Sequence, residues 1–299
     1  MAEPPVESTG TLLHFVSGSL AWAGHYLHED THPVHTHSFF EIAVVMGGTG
    51  AHHSLAGQHE LRIGDVLVLR PGVWHGYQQC RRLDVYNCCF STELLGRELA
   101  WTRQDPQIGH LIWTGPYADQ RRGILASHLD DAGRAECVAH LDRLHELRTS
   151  PVETHRGDIV GWLSLFLSAL ARAVARTDQA PEGRSQTHPA VLDAMRMLED
   201  RPAAPWTLTE LATELHLAPG YLVRLFKSAT GLPPMAYLSR LRVELAAARL
   251  LHTDQPISRI GESVGWPDQN YFARRFRSHY GLSASTYRAR FAKTKTLTR

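Results

Sequence analysis

The chain has 299 residues, enough for two domains with separate cores, and its 43% hydrophobic and 20% charged residues are typical of a globular protein. The formal charge of +1 conceals an asymmetry, because residues 189–299 carry a net +7 and residues 1–188 a net −6. A basic half favours a polyanionic partner. The acidic N-terminus has no secretory signal pattern, and the most apolar stretch, 161–174, is too short to span a membrane. Four cysteines without a CxxC spacing indicate reduced thiols in a cytoplasmic protein.

Short strand patterns dominate residues 11–91, after a stretch at 1–10 that we expect to be a flexible arm. Apolar runs such as 39–46 end at turn signals, here Gly47-Gly48, and the same alternation continues to Phe90. Several strands at this spacing are typical of a β-barrel or sandwich.

Within this region His35 and His37 are two residues apart, so they share one face of a strand. Glu41 follows, and His75 comes after a Pro71-Gly72 turn. This arrangement resembles the two motifs of the cupin superfamily, a jelly-roll β-barrel. The resemblance implies that in a metal-binding member His35, His37, Glu41 and His75 would hold the ion. Three imidazoles and a carboxylate suit a divalent transition metal.

The alternative is that these side chains bind an organic ligand or pack without metal, since fold alone does not supply function. We expect no required cofactor. The candidate ligand-binding residues are His35, His37, Phe39, Glu41, Trp74, His75 and Tyr77, with Trp22 and Tyr26 as weaker candidates.

Residues 92–176 show a helical period. Between 158 and 176 the apolar side chains form a broad stripe along one face. This predicts a dimerisation helix that pairs with a second subunit, or, nearly as plausibly, a helix that packs against its own barrel or against 136–147. Polar residues at 177–188 predict a linker.

The basic half contains one pattern twice. Each copy reads as a helix, a short turn and a second helix with basic side chains, ending at Gly231 and Tyr237 in the first copy and at Gly281 and Tyr287 in the second. Thr207-Leu-Thr-Glu has the spacing of a capping box before the first copy. The tandem helix-turn-helix predicts DNA binding. We expect the second helices to bury Tyr221, Leu222, Leu225 and Phe226, and Tyr271, Phe272 and Phe276.

Residues 189–290, including LTELATELHLAPGYLVRLFKSATG and PISRIGESVGWPDQNYFARRFRSHYGLSASTYR, resemble the AraC family of bacterial transcription regulators. The resemblance extends to the cupin-like half. It implies an α+β two-domain chain: an N-terminal cupin barrel with following helices, then an all-α tandem helix-turn-helix domain at 189–290 and a basic tail at 291–299.

Family DNA contacts carry over by position. In the first motif base reading falls on Gly220, Val223 and Arg224, and in the second on Gln269, Asn270 and Arg274. Arginine pairs with guanine and the amides pair with adenine. Phosphate contacts are assigned to Lys227 and Arg277. A rigid connecting helix would place the two reading helices in successive major grooves, about 34 Å apart.

The sequence therefore predicts a cytoplasmic, non-enzymatic, ligand-responsive regulator that binds double-stranded DNA and a small molecule, with a sugar as the expected class. It is expected to form a homodimer through 158–176 and to have no membrane partner. Activation is the favoured direction of regulation, and as an activator the protein would contact RNA polymerase. The alternatives are a metal-dependent cupin enzyme, or a metal or redox sensor, fused to a DNA-binding domain.

Overall fold

A computed structural model describes residues 6–9, 12–15, 20–54, 56–117, 121–177 and 188–291. Its N-terminal half is a β-barrel domain. The strands within the described residues are β1 (Val6–Thr9), β2 (Leu12–Phe15), β3 (Ala21–His28), β4 (His32–His37), β5 (Phe40–Ser54), β6 (Gly57–Leu61), β7 (Asp65–Leu69), β8 (His75–Phe90) and β9 (Ile124–His128).

The long strand β8 organises the barrel, because it pairs antiparallel with β3, β4 and β5. The other edge of the sheet continues from β5 through β7 to β9. Apolar side chains such as Ile42, Val44 and Val68 are fully buried on the face that the helices cover. This arrangement confirms the predicted cupin-like barrel.

Two strands correct the predicted boundaries. Residues 6–9, expected in a flexible arm, form β1, which pairs with β2, and β2 adds parallel to β4. Strand β9 lies inside the stretch predicted to be helical and completes the sheet beside β7. A five-residue strand of this kind is hidden in sequence because it is flanked by helical patterns. Residues 1–5 and 10 lie outside the described residues.

The helices that follow the barrel are α1 (Thr92–Gly96), α2 (Pro106–Ile108), α3 (Asp131–Glu146) and α4 (Val152–Thr177), with a π-helical turn at Gly109–Thr114 between α2 and β9. Helix α4 has 26 residues and is longer than the predicted apolar stretch. By length and composition alone it could cross a membrane. Half of its apolar window is buried inside the molecule, as in the core helix of a globular domain.

The apolar stripe of α4 is covered by the chain itself. The stripe residues are buried in the same core as α3 and the barrel: Ile159, Leu163, Phe166, Leu167, Leu170 and Val174. This corrects the prediction that the stripe in 158–176 pairs with a second subunit. The alternative, packing within the chain, holds because α3 offers its own apolar face, including Leu141 and Leu144.

The C-terminal half is helical throughout its described residues. Its helices are α5 (Pro189–Asp200), α6 (Leu208–Glu214), α7 (Pro219–Thr230), α8 (Pro234–His252), α9 (Ile257–Ser263), α10 (Gln269–Tyr280) and α11 (Ala284–Phe291). The predicted capping box at Thr207 and Glu210 is confirmed, since each side chain bonds the other residue's backbone N–H. Gly231 and Gly281 end the two reading helices with φ of 77° and 70°, a conformation that favours glycine.

The two halves attach to each other in two different ways. One apolar core runs from the barrel through α4 into the first helix-turn-helix unit, where it includes Leu198 and Phe226. The second unit has a separate core around Phe272 and Phe276, against which Val34 and Trp74 of the barrel pack. The expected linker residues 178–187 and the tail residues 292–299 lie outside the described part of the chain.

Candidate ligand site and DNA-reading surface

The barrel interior brings the predicted histidines together. The ring centroid of His75 lies 4.3 Å from that of His35 and 5.2 Å from that of His37. His35, Glu41 and His75 offer ligand atoms that all lie within 4.8 Å of one another. His37 stands beside this group, with its Nε2 3.6 Å from the Glu41 carboxylate.

Backbone carbonyls orient two of these rings. The Nδ1 of His35 lies 3.0 Å from the carbonyl of Pro33, and the Nδ1 of His37 lies 2.7 Å from the carbonyl of Phe39. A carbonyl accepts, so in each neutral ring Nδ1 carries the proton and Nε2 keeps a lone pair. The Nε2 atoms are therefore the acceptors that these two rings offer to a bound group.

Burial sets the charge state of the cluster. Desolvation lowers the pKa of His35 to about 3 and of His37 to about 4, and it lowers that of His75 well below the usual value. Desolvation also raises the pKa of Glu41 to about 7. The site is thus a set of neutral imidazoles around one carboxyl group that keeps its proton to a higher pH than usual.

The same interior contains polar atoms that have no hydrogen-bond partner among the described residues. They are Trp22 Nε1, His37 Nε2, His52 Nε2, both ring nitrogens of His75 and the Tyr77 hydroxyl. A buried polar group without a partner costs about 1–3 kcal/mol, so a cluster of them on one barrel face favours a polar ligand there.

Sequence reasoning missed three interior histidines. His52 is 5.4 Å from His75, and His28 and His32 continue the row, with His32 4.8 Å from His35. His28 also stacks on Tyr77, at 4.9 Å between ring centroids. The signal that could have found His52 is its strand alternation beside His53, since only one of two neighbours can face the interior.

The remaining candidates divide between the two sides of the barrel wall. Phe39 stacks on His37 at 4.8 Å, and Trp22 and Tyr26 lie 5.6 Å apart on the interior face. Trp74 does not join them. Its indole N–H donates to the carbonyl of Tyr280, so this candidate ligand residue instead contacts the DNA-binding half. The reason is strand alternation, because His75 already occupies the interior position next to it.

The cysteines are free and buried. Cys88 and Cys89 face opposite sides of their strand, with Cys88 in the main core and Cys89 beside Trp22 and Phe39. Burial raises the pKa of both thiols. The thiolate is the reactive form, so this environment disfavours a redox role.

A single strand separates the histidine cluster from the second helix-turn-helix unit. Thr36 lies between His35 and His37 and points to the opposite face, where its hydroxyl donates to the carbonyl of Val73. The backbone N–H of Gly72 donates to the carbonyl of His37. The phenol of Tyr287 in α11 donates to the Gly72 carbonyl at 2.7 Å, and the Thr36 side chain lies beside the same phenol.

A buried ion pair lies next to this contact. The Arg70 guanidinium donates two hydrogen bonds of 3.0 Å to the Glu244 carboxylate in α8, and a third of 2.8 Å to the carbonyl of Ile112. Gly72 itself has φ of +81°, and an added Cβ would lie 2.8 Å from the Tyr280 hydroxyl. The turn at 70–74 therefore fits closely against the DNA-binding half.

The first reading helix, α7, has few long side chains at its predicted base-reading positions. Gly220, Arg224 and Lys227 are exposed and Val223 is half-buried, all on the outward side. Open space surrounds the position of a Cβ on Gly220. Among the predicted base-reading positions of this helix, Arg224 is therefore the one with a long side chain.

The second reading helix, α10, presents a fuller surface. Gln269, Asn270, Arg274 and Arg277 are all exposed. Asp268 caps the helix, as predicted, by accepting from the N–H groups of Asn270 and Tyr271. The predicted reading positions of both helices are therefore exposed, except for the half-buried Val223.

Two aromatic residues differ from the prediction. Tyr221 and Tyr271, expected to be buried, are 41% and 38% exposed. Each lies three residues before a reading arginine, so the pair shares one face of its helix. The helical period placed the two tyrosines at the edge of the apolar face, and the neighbouring Leu222 and Phe272 fill the core instead.

Comparison with known families agrees with both halves. A profile described as an AraC-like ligand binding domain matches residues 21–147. A profile described as a helix-turn-helix domain matches residues 211–290. The two matches together cover more than half of the chain and coincide with the barrel and the tandem motif.

Full-length relatives have the same organisation. The chain is 28% identical over 265 residues to the HTH-type transcriptional activator RhaR of Pectobacterium carotovorum, covering 87% of each chain. It is 24% identical over 262 residues to RhaR of Mannheimia succiniciproducens, covering 87% of this chain and 88% of that one. The fold is similar to that of ToxT from Vibrio cholerae, with a TM-score of 0.53 at 11% identity, over 91% of this chain and 99% of that one. The protein belongs to the AraC family of transcription regulators.

Proposed function

We propose that this regulator binds a small, hydroxyl-rich effector, with a sugar as the leading class, inside the barrel. The observation that carries the proposal is the cluster of buried polar atoms without partners around His75. Neutral imidazoles both donate and accept, which matches hydroxyl groups, and the rings of Trp22 and Phe39 offer apolar faces for a sugar ring.

A thermal-shift screen of metabolites on the full chain tests this proposal. A molecule that binds only the folded state raises the melting temperature, and the stabilisation grows with the logarithm of its concentration over Kd. Replacing Glu41 by Gln should abolish the shift of an authentic effector, because the carboxylate is replaced by an amide inside the site. Replacing the exposed Glu60 by Gln is the matched control. An effector whose shift is unchanged in Glu41→Gln binds elsewhere and contradicts the proposal.

The route from effector to DNA follows the wall described above. His35 and His37 face the effector, while Thr36 between them touches the second helix-turn-helix unit. A ligand that prefers one position of this strand therefore also changes the contact with Tyr287, as coupling between two sites requires. DNA affinity of the full chain, measured with and without effector, should lose its effector dependence in Thr36→Val.

Activation is the proposed sign of regulation, and RNA polymerase is the proposed protein partner. The curated relatives at 24–28% identity are named transcriptional activators. Transcription in vitro from a promoter selected with this protein should rise on its addition. A fall under the same conditions would make it a repressor.

A cytoplasmic, non-enzymatic homodimer is the form that we propose for the active protein. The apolar stripe of α4 is covered, so the contact would use the outer face of that helix, where Leu165 is 48% exposed. Sedimentation of wild type and Leu165→Arg tests this surface. Equal dimer populations in the two proteins would place the interface elsewhere.

A second candidate function, metal sensing, is favoured by the spacing of His35, Glu41 and His75. The residues fit a divalent transition ion, because lone pairs on the Nε2 atoms of His35 and His37 are available and both nitrogens of His75 lack a partner among the described residues. An ion at this site would supply a Lewis acid to which effector oxygens could bind.

Equilibrium dialysis of the metal-stripped chain against Co²⁺ or Zn²⁺ tests the metal site, and the visible spectrum of bound Co²⁺ reports its ligands. One ion per chain is expected, with binding lost in His75→Ala and retained in His59→Ala, a histidine outside the cluster. The absence of stoichiometric binding would remove the metal candidate.

A further inference from the structure

Both reading helices carry an exposed tyrosine at the same place. Tyr221 in α7 and Tyr271 in α10 each precede a fully buried core residue by one position, and they are among the few large apolar or aromatic side chains that the described residues leave exposed. More than a third of each tyrosine is exposed, so each ring is available to side chains on the outer surface of its helix.

Each tyrosine supports the reading arginine three residues later. The Arg224 guanidinium carbon lies 5.7 Å from the ring centroid of Tyr221, and that of Arg274 lies 5.3 Å from the ring of Tyr271. Both distances are within the roughly 6 Å range of a cation–π contact. Among the described residues, no carboxylate forms an ion pair with either arginine, so the ring is the contact that orients it.

The second pair has additional support from the core. Trp266 meets Tyr271 edge to face at 5.9 Å between ring centroids, and Trp266 is itself buried. The Tyr271 ring therefore contacts both a buried aromatic residue and Arg274. Leu217 corresponds to Trp266 in the repeat, since each follows the left-handed residue after the preceding helix, and it is a half-buried aliphatic residue, so the first pair has no such aromatic neighbour.

We propose that Tyr221 and Tyr271 are specificity-positioning residues, which hold Arg224 and Arg274 in the orientation that pairs with a guanine edge. A long arginine side chain loses rotamer freedom on binding, and a preoriented one loses less. The contact thus adds to recognition at the one base pair that the arginine reads, while contacts elsewhere are unaffected. The inference rests on α7 and α10 being the reading helices of this family member.

Selection of full-length protein variants on a random double-stranded DNA library tests the inference. Tyr271→Phe keeps the ring and should keep the wild-type base preferences. Tyr271→Leu removes the ring and should reduce the guanine preference at the base pair read by Arg274 by about 2- to 5-fold, which corresponds to about 0.5–1 kcal/mol. Preferences at other positions should not change. Ser278→Ala, an exposed change on the same helix, is the control.

A double variant separates positioning from direct contact. In an Arg274→Ala background, Tyr271→Leu should have no further effect on base preference, because there is no arginine left to orient. A uniform loss of affinity in both Tyr271→Phe and Tyr271→Leu would instead assign the hydroxyl to a phosphate contact and overturn the inference. If Tyr271→Leu lowers the melting temperature, the same comparison at Tyr221, where Leu217 stands in the place of Trp266, decides the question.

Discussion

Replacing Tyr287 by Phe tests the contact between the barrel and the second helix-turn-helix unit. The ring is fully buried and its hydroxyl donates to the Gly72 carbonyl at 2.7 Å. The substitution keeps the packing of the ring but leaves that carbonyl buried without its donor. Such an unsatisfied group costs about 1–3 kcal/mol, so the free energy of unfolding should fall by that amount.

Urea unfolding followed by tryptophan fluorescence measures the loss, and the exposed Tyr221→Phe is the matched control, expected within about 0.5 kcal/mol of wild type. The same variant should also weaken the effector dependence of DNA affinity, since Tyr287 contacts both Gly72 and Thr36. A stability equal to that of the wild type would refute the reasoning, because it would mean that the halves are not joined at Gly72 in solution.

Further outcomes follow from single side chains. Arg274→Ala should lose about 1–3 kcal/mol of specific binding at one base pair, whereas Lys227→Ala should weaken all sequences alike and lower the salt slope by about one, both measured by binding titrations at several salt concentrations. Arg70→Ala should destabilise the chain by about 3–5 kcal/mol in urea unfolding, because it removes the guanidinium charge and both of its hydrogen bonds from the buried Glu244 carboxylate, and a loss below 1 kcal/mol would contradict a buried pair. His279 has its pKa lowered to about 4 by burial, so the unfolded chain takes up a proton that the folded chain does not. Its contribution reduces stability by up to about 3 kcal/mol as pH falls from 6.5 to 4, and His279→Gln should remove that part of the measured pH dependence.

The helical half was readable from sequence because its signals are local. A capping box at Thr207, a proline at the first turn of α7 and glycines after α7 and α10 each determine a boundary within a few residues. The apolar period then fixes which face is buried. The prediction was wrong only at the edge of that face, for Tyr221 and Tyr271, where period alone does not distinguish a core position from a surface one.

The barrel site was only partly readable because it depends on contacts between distant strands. The spacing of His35 and His37 predicted a shared face, but His52 joins them through the pairing of β5 with β8. Alternation beside His75 places Trp74 on the outer side of the wall, but its partner there, Tyr280, comes from the other half of the chain and was not predictable. Strand β9 likewise depends on its pairing with β7, more than fifty residues away in sequence.

The two helix-turn-helix units are attached to the barrel in unequal ways, and this difference has a mechanical consequence. The first shares a continuous apolar core with the barrel and α4, so separating it exposes hydrophobic surface. Among the described residues, the second meets the barrel through hydrogen bonds made by Trp74 and Tyr287, the Arg70–Glu244 ion pair and the edges of Val34 and Trp74. We therefore expect the second unit to separate from the barrel more readily than the first. On DNA we expect the first unit to act as a pivot and the second as the mobile arm, so that occupancy of the barrel would change the length of operator that is bound.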